Sequence, residues 1–197
     1  MKSGMLIGMI ISALLLQGCM SAAVTSAQTV YNRHGIEKNL RDQYITLQAH
    51  RRLEIDNQKR EFENANITVA TYNGDVLLTG QVPETWQRER AGEIVKAIPN
   101  VKRVFNLLKI ASPSSTLVRL SDVWLTAKVK AKMIASNDLD GSQIKVVSEN
   151  GTVYLMGIVP PKEADVAVDI ASSTEGVAEV VKMFSYMIIT RKPLRLT

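Results

Sequence analysis

The sequence predicts an α+β protein built from two tandem small αββαβ units, each a three-stranded mixed sheet packed against two helices. Three observations predict it. An eleven-residue motif occurs twice, at Asn73–Pro83 and Asn150–Pro160, with seven identical positions. Each copy opens on Asn-Gly between runs of alternating apolar residues. That is the strongest short-range hairpin signal, because both residues tolerate positive φ. Segments with helical apolar spacing flank each hairpin. A duplicated unit fixes the architecture before any single element does.

The elements follow in order. A leading helix is expected from Leu40 to about Phe62. Ile67, Val69 and Thr71 then form a strand, Asn73-Gly74 the turn, and Val76, Leu78 and Gly80 the return strand, which Pro83 ends. A second helix is expected over Thr85–Ile98 and a closing strand over Val101–Ile110. The second unit repeats this plan: a helix from Ser121 to about Ser136, a hairpin through Asn150-Gly151, Pro160 as its stop, a helix over Pro161–Ser173 and a strand over Val177–Thr190. Ser121 reads as an N-cap, with Asp122 in the first turn where the helix dipole favours an anion. Gly74 and Gly151 serve the turns, and Gly80 and Gly157 sit at strand-packing positions. The offset between copies is 77 residues at the hairpins, 80 at the leading helices (Asp42 to Asp122) and 76 after the prolines, so the insertions fall in loops. The expected domains are 37–110 and 119–190. A Pro/Ser-rich linker over 111–118 joins them, and a basic tail follows over 191–197.

The N-terminus carries a targeting pattern. Lys2 precedes an apolar run from Met5 to Leu16, and Leu16-Gln17-Gly18-Cys19 follows. About a dozen apolar residues are too few to span a bilayer, which needs roughly 20. A charged start, a short apolar core and a small residue at the cut mark a secretory signal over residues 1–18. Cys19 is the only cysteine, and exported proteins usually pair theirs. The run resembles the bacterial lipobox. That resemblance implies acylation of Cys19, cleavage after Gly18 and, since Met20 is not aspartate, a destination at the periplasmic face of the outer membrane. Residues 19–36 are then the acylated N-terminus and a tether.

The element order and the duplicated G-x-V-x-L-x-G-x-V motif, each copy followed by a closing Val-x-x-Val (Val101 and Val104, Val177 and Val180), resemble the BON domain. Together with the lipobox they resemble dual-BON outer-membrane lipoproteins. The resemblance covers about residues 37–190 and implies a non-enzymatic module that binds phospholipid or other envelope components. Unit one departs from the pattern: Pro99-Asn100 stands where glycine is usual, and its leading helix is longer and more charged.

Nothing in the sequence points to catalysis. The formal net charge of +5 is modest. It suits an anionic lipid surface and gives no reason to expect nucleic acid. The two histidines, His34 and His50, lie sixteen residues apart, and no metal-ligand, nucleophile-elbow or phosphate-loop motif occurs. No cofactor, metal or small-molecule substrate is expected.

The informative stretch is the second unit's leading helix. At 100° per residue, Leu125, Val129 and Met133 share one face, which suits the sheet. Trp124, Ala127, Ala131 and Ile134 share another, flanked by Lys128 and Lys130. An apolar face with a tryptophan and snorkelling lysines suits an anionic phospholipid headgroup region. The resemblance points to the same helix. The competing reading is an interface, either with unit one and the linker or with an outer-membrane assembly or cell-wall protein. Unit one carries Gln43, Gln48, Arg51, Arg52 and Glu54 on its matching helix and is expected not to repeat the feature. Trp86 is expected to pack against its own unit.

Overall fold

The computed structural model describes residues 26–55 and 60–186, with side chains over 37–54 and 60–186. The expectations for the signal segment, Gly18, Cys19 and the basic tail lie outside these residues. The chain divides into two compact units at Glu37/Lys38, and the second unit holds both repeats.

Helix α1 runs over Ser26–His50 and passes into one π-helical turn, Arg51–Ile55. Residues 26–36, expected to be tether, are therefore helical. The helix also stops short of Phe62; by Arg60 the backbone has turned to φ +52°. β1 (Asn66–Tyr72) and β2 (Asp75–Val82) pair antiparallel, with Ile67 opposite Gly80 and Tyr72 opposite Asp75. The turn places Asn73 at φ +51° and Gly74 at +84°, which explains the Asn-Gly pair. Gly80 lies at φ +115°, and a Cβ there would stand 2.1 Å from the Asn66 carbonyl oxygen. Only glycine fits between the strands at that point.

Helix α2 (Thr85–Lys96) begins with a capping box, the Glu84 side chain exchanging with Gln87. It carries the chain back so that β3 (Arg103–Asn106) and β4 (Lys109–Ile110) lie parallel to β2. The single closing strand expected here is interrupted, and the first sheet has four strands instead of three. Leu108 turns into the core, and the Asn106 side chain leaves the strand to donate to the Arg88 carbonyl at 2.7 Å.

Helix α3 spans Thr116–Ala135, capped by the Ser115 hydroxyl. It begins five residues before the expected start, so Ser121 is no cap and part of the expected linker is helix. A 3₁₀ turn (Gly141–Gln143) leads to β5 (Ile144–Glu149) and β6 (Thr152–Val159), then α4 (Pro161–Ser172) and β7 (Glu179–Tyr186). β6 pairs antiparallel with β5 and parallel with β7.

Each sheet buries one face under its helices. Val76, Leu78 and Val82 meet Ile45, Ala91 and Val95 in repeat one; Val153 and Leu155 meet Leu125, Val129, Met133 and Ala167 in repeat two. The opposite faces of the two sheets pack toward each other. Ala70 and Leu77 from the first sheet and Tyr154 and Met156 from the second form a third buried cluster, with Tyr72, Phe105 and Met183 packed around it. The order of layers is helices, sheet, sheet, helices. The expectation of two units on a semi-flexible connector is therefore corrected: the repeats share a core. At its edge Glu149, only 6% exposed, accepts from Gln81 Nε2 at 2.8 Å and lies 3.4 Å from Asn66 Nδ2 and Thr68 Oγ1, all from repeat one.

Candidate functional site

Helix α3 divides its residues between two faces. Asp122, Leu125, Val129 and Met133 are buried. On the opposite side Leu117 (78% exposed), Leu120 (65%), Trp124 (68%) and Ile134 (62%) stand in solvent with Ala127 and Ala131. These six residues fall at spacings of three and four, which keeps them on one side of a helix. The stripe covers 18 of the helix's 20 residues. At 1.5 Å per residue it is about 26 Å long. Val123, 67% exposed, borders it.

The anticipated residues Trp124, Ala127, Ala131 and Ile134 thus stand together, and two further leucines extend them. Sequence reasoning missed Leu117 and Leu120 because it began the helix at Ser121. Their signal was present: continuing the same period backwards from Trp124 reaches both.

The lysines part company. Lys128 stays beside the stripe and donates to the Glu175 carbonyl at 3.2 Å. Lys130 does not join that face. Its half-buried ammonium donates to the Gly141 carbonyl at 2.7 Å and to that of Ile144. Burial holds its pKa below the usual lysine range, with Asp140 partly offsetting the effect. Lys132, exposed, takes its place on the flank near Lys128.

Asp122 has a part the sequence did not suggest. It lies in the middle of α3, and its two carboxylate oxygens accept the backbone N–H groups of Asn150 (2.8 Å) and Gly151 (3.1 Å). Asp42 does the same for Asn73 (2.5 Å) and Gly74 (2.9 Å) in repeat one. Each leading helix is thereby pinned to its hairpin turn by one carboxylate.

Repeat one does carry a shorter apolar stripe, contrary to expectation. Leu40, Tyr44 and Leu47 are exposed on α1, at the positions that match Leu120, Trp124 and Ala127. Trp86 is half exposed rather than packed. Among the described residues no group of three or more His, Cys, Asp or Glu side chains could hold a metal ion. No described helix is long and apolar enough to cross a membrane.

Comparison with known proteins agrees with this architecture. The BON domain family matches residues 41–112 and 121–187. The chain is 33% identical over 181 residues to the outer membrane lipoprotein DolP of Haemophilus influenzae, covering 89% of this chain and 92% of that one. It is 33% identical to the 21 kDa hemolysin of Actinobacillus pleuropneumoniae over 64% of each chain. It is 29% identical to the osmotically-inducible protein Y of Escherichia coli over 60% of each. With two αββαβ repeats, both matched along nearly their whole length, the chain belongs to the BON domain family and is a DolP-like member of it.

Proposed function

We propose that this protein is a non-enzymatic lipoprotein of the outer membrane's periplasmic face, anchored through Cys19, whose second BON domain lays α3 on anionic phospholipid and supports the integrity of that membrane. The observation that carries the reading is the uncovered stripe from Leu117 to Ile134. A helix of a water-soluble domain needs one apolar face, and α3 has two. The stripe offers Trp124 and three large aliphatic side chains to the acyl boundary, with Lys128 and Lys132 at headgroup level. DolP is by name an outer membrane lipoprotein, which supports the location.

Trp124→Glu tests the reading. The indole points away from the Leu125–Val129–Met133 core, so the fold survives. Removing it from an apolar phase costs roughly 1.5–3 kcal/mol, and a carboxylate near anionic headgroups adds about 1 kcal/mol of repulsion. Binding to phosphatidylglycerol vesicles, measured by co-sedimentation, is expected to weaken at least about tenfold. Lys128→Glu is expected to act in the same direction with an effect that shrinks in salt. Undiminished vesicle binding by a folded Trp124→Glu variant rejects the proposal. Spacings of three and four also suit a helix–helix seam, which favours a protein partner as the second reading. Loss of a stable assembly by Trp124→Glu, with vesicle affinity unchanged, selects that reading.

Cys19→Ser is expected to move the protein from the membrane pellet to the soluble periplasmic fraction. Retention through high-salt and carbonate washes would exclude acylation at Cys19 as the anchor.

A further inference from the structure

The shared core creates two clefts that the sequence repeat relates to one another. The first, about 580 Å³, is bounded by Asp42 and Thr46 of α1, Thr71 at the end of β1, and Lys145 at the start of β5. The second, about 360 Å³, is bounded by Asp122 and Thr126 of α3, Ser148 at the end of β5, and Thr68 of β1. The repeat offsets pair these residues one for one: Asp42 with Asp122, Thr46 with Thr126, Thr71 with Ser148, and Lys145 with Thr68. Each cleft takes two walls from one repeat and one from the other.

The twins have diverged in charge. In the second, the buried Glu149 is latched by the Thr68 hydroxyl and by side chains of Asn66 and Gln81. In the first, Tyr72 stands at the Glu149 position and Lys145 at the Thr68 position. Lys130 and His50 line this same cleft. The Lys145 ammonium donates to the Thr71 carbonyl at 3.1 Å, and Lys130 donates to two carbonyls. An ammonium has three donors, so both keep N–H groups to spare. Among the described residues neither takes part in an ion pair. Asp42, the carboxylate in this cleft, already has both oxygens on the Asn73 and Gly74 amides. The fold itself does not need a lysine at this place, because the twin cleft closes with a threonine.

We propose that the cleft between α1 and the start of β5 binds a small phosphate ester, with Lys145 and Lys130 holding the phosphate. Its volume falls in the range of small-ligand sites and exceeds what a bare phosphate fills. Thr46 and Gln43 line the cleft where a polyol body would lie, and Leu47 where its carbon skeleton would. Burial holds the Lys145 pKa below its usual range, Asp42 partly offsetting it, and a bound dianion relieves that penalty. The ester is either a soluble metabolite or the headgroup of a lipid.

The test uses the full-length mature protein and its Lys145→Thr variant, which copies the residue of the twin cleft. sn-Glycerol 3-phosphate is titrated while backbone amide resonances are followed, against sodium chloride at matched ionic strength. The expected result is a saturable shift at Thr46, Thr71, Ser142 and Lys145, weakened at least about tenfold by Lys145→Thr with an unchanged melting curve. A second arm titrates phosphatidylglycerol vesicles. If soluble ester and vesicles both perturb these four residues, the source is a headgroup; if the ester alone does, it is a soluble ligand. Trp124→Glu is expected to spare ester binding, so this inference and the membrane reading fail separately. No saturable shift beyond the chloride control, or equal affinity in Lys145→Thr, overturns the proposal. Should Lys145→Thr melt early, Lys145→Met replaces it under the same criterion.

Discussion

Leu77→Asp is expected to destabilise both repeats although the residue belongs to the first. Leu77 is fully buried, and it faces Tyr154 and Met156 of the second sheet rather than its own helices. Losing a buried leucine costs about 2–5 kcal/mol, and burying an unpaired carboxylate adds several more. Domain stabilities are about 5–15 kcal/mol, so one substitution removes most of what is available. The expected drop in Tm is about 10–20 °C or more. The coupling is the sharper expectation. Hydrogen exchange at the amides of Tyr154, Leu155 and Met156 is expected to accelerate along with that of β2, because the sheets cover each other. If β6 keeps its protection while β2 loses it, the repeats are independent folding units and the shared core joins them without coupling them.

The second large effect comes from Asp122→Ala. One carboxylate holds two backbone N–H groups of the Asn150-Gly151 turn, and it is 7% exposed. Hydrogen bonds to a charged group contribute about 1.5–3 kcal/mol each. The freed amides lie at a turn and recover some hydration, so the expected loss is about 3 kcal/mol, or a Tm lower by about 6–12 °C. Asp42→Ala is expected to match it in repeat one. Asp122→Asn keeps one acceptor and should fall between. Calorimetry checks the magnitude, and faster exchange at Asn150 and Gly151 checks the cause. A change under about 1 kcal/mol would show that the turn holds the helix without this carboxylate.

Much of the fold was legible because its signals are local. Asn-Gly marks both hairpins, Pro83 and Pro160 mark strand ends, and 3.6-residue spacing separates Leu125, Val129 and Met133 from Trp124. What escaped was non-local. Reading Val76, Leu78 and Gly80 as an alternating set left Leu77 without a role, yet Val76-Leu77-Leu78 and Val153-Tyr154-Leu155-Met156 are unbroken apolar runs. Such runs belong to strands covered on both faces. The cover here is the other repeat, which no window of a dozen residues contains. Asp42 and Asp122 escaped for a similar reason. Each acts on a turn about thirty residues away, and a dipole argument at a misplaced helix start absorbed the second. Lys130 was placed by helical angle alone, which fixes where its stem leaves the helix but not where four methylenes carry the ammonium.

The way each cleft takes a wall from both repeats has a consequence for how such a chain can change. A solitary repeat of this kind leaves one sheet face bare, and pairing with an identical copy would cover it. That pair would own two identical clefts, and any substitution would appear in both. A lysine at the Lys145 position would then bring a second one to the Thr68 position, in the cleft that now holds Glu149. Joining the copies end to end breaks this bond. One cleft can turn cationic while its twin keeps an acid and becomes a fastening, and neither change has to suit the other.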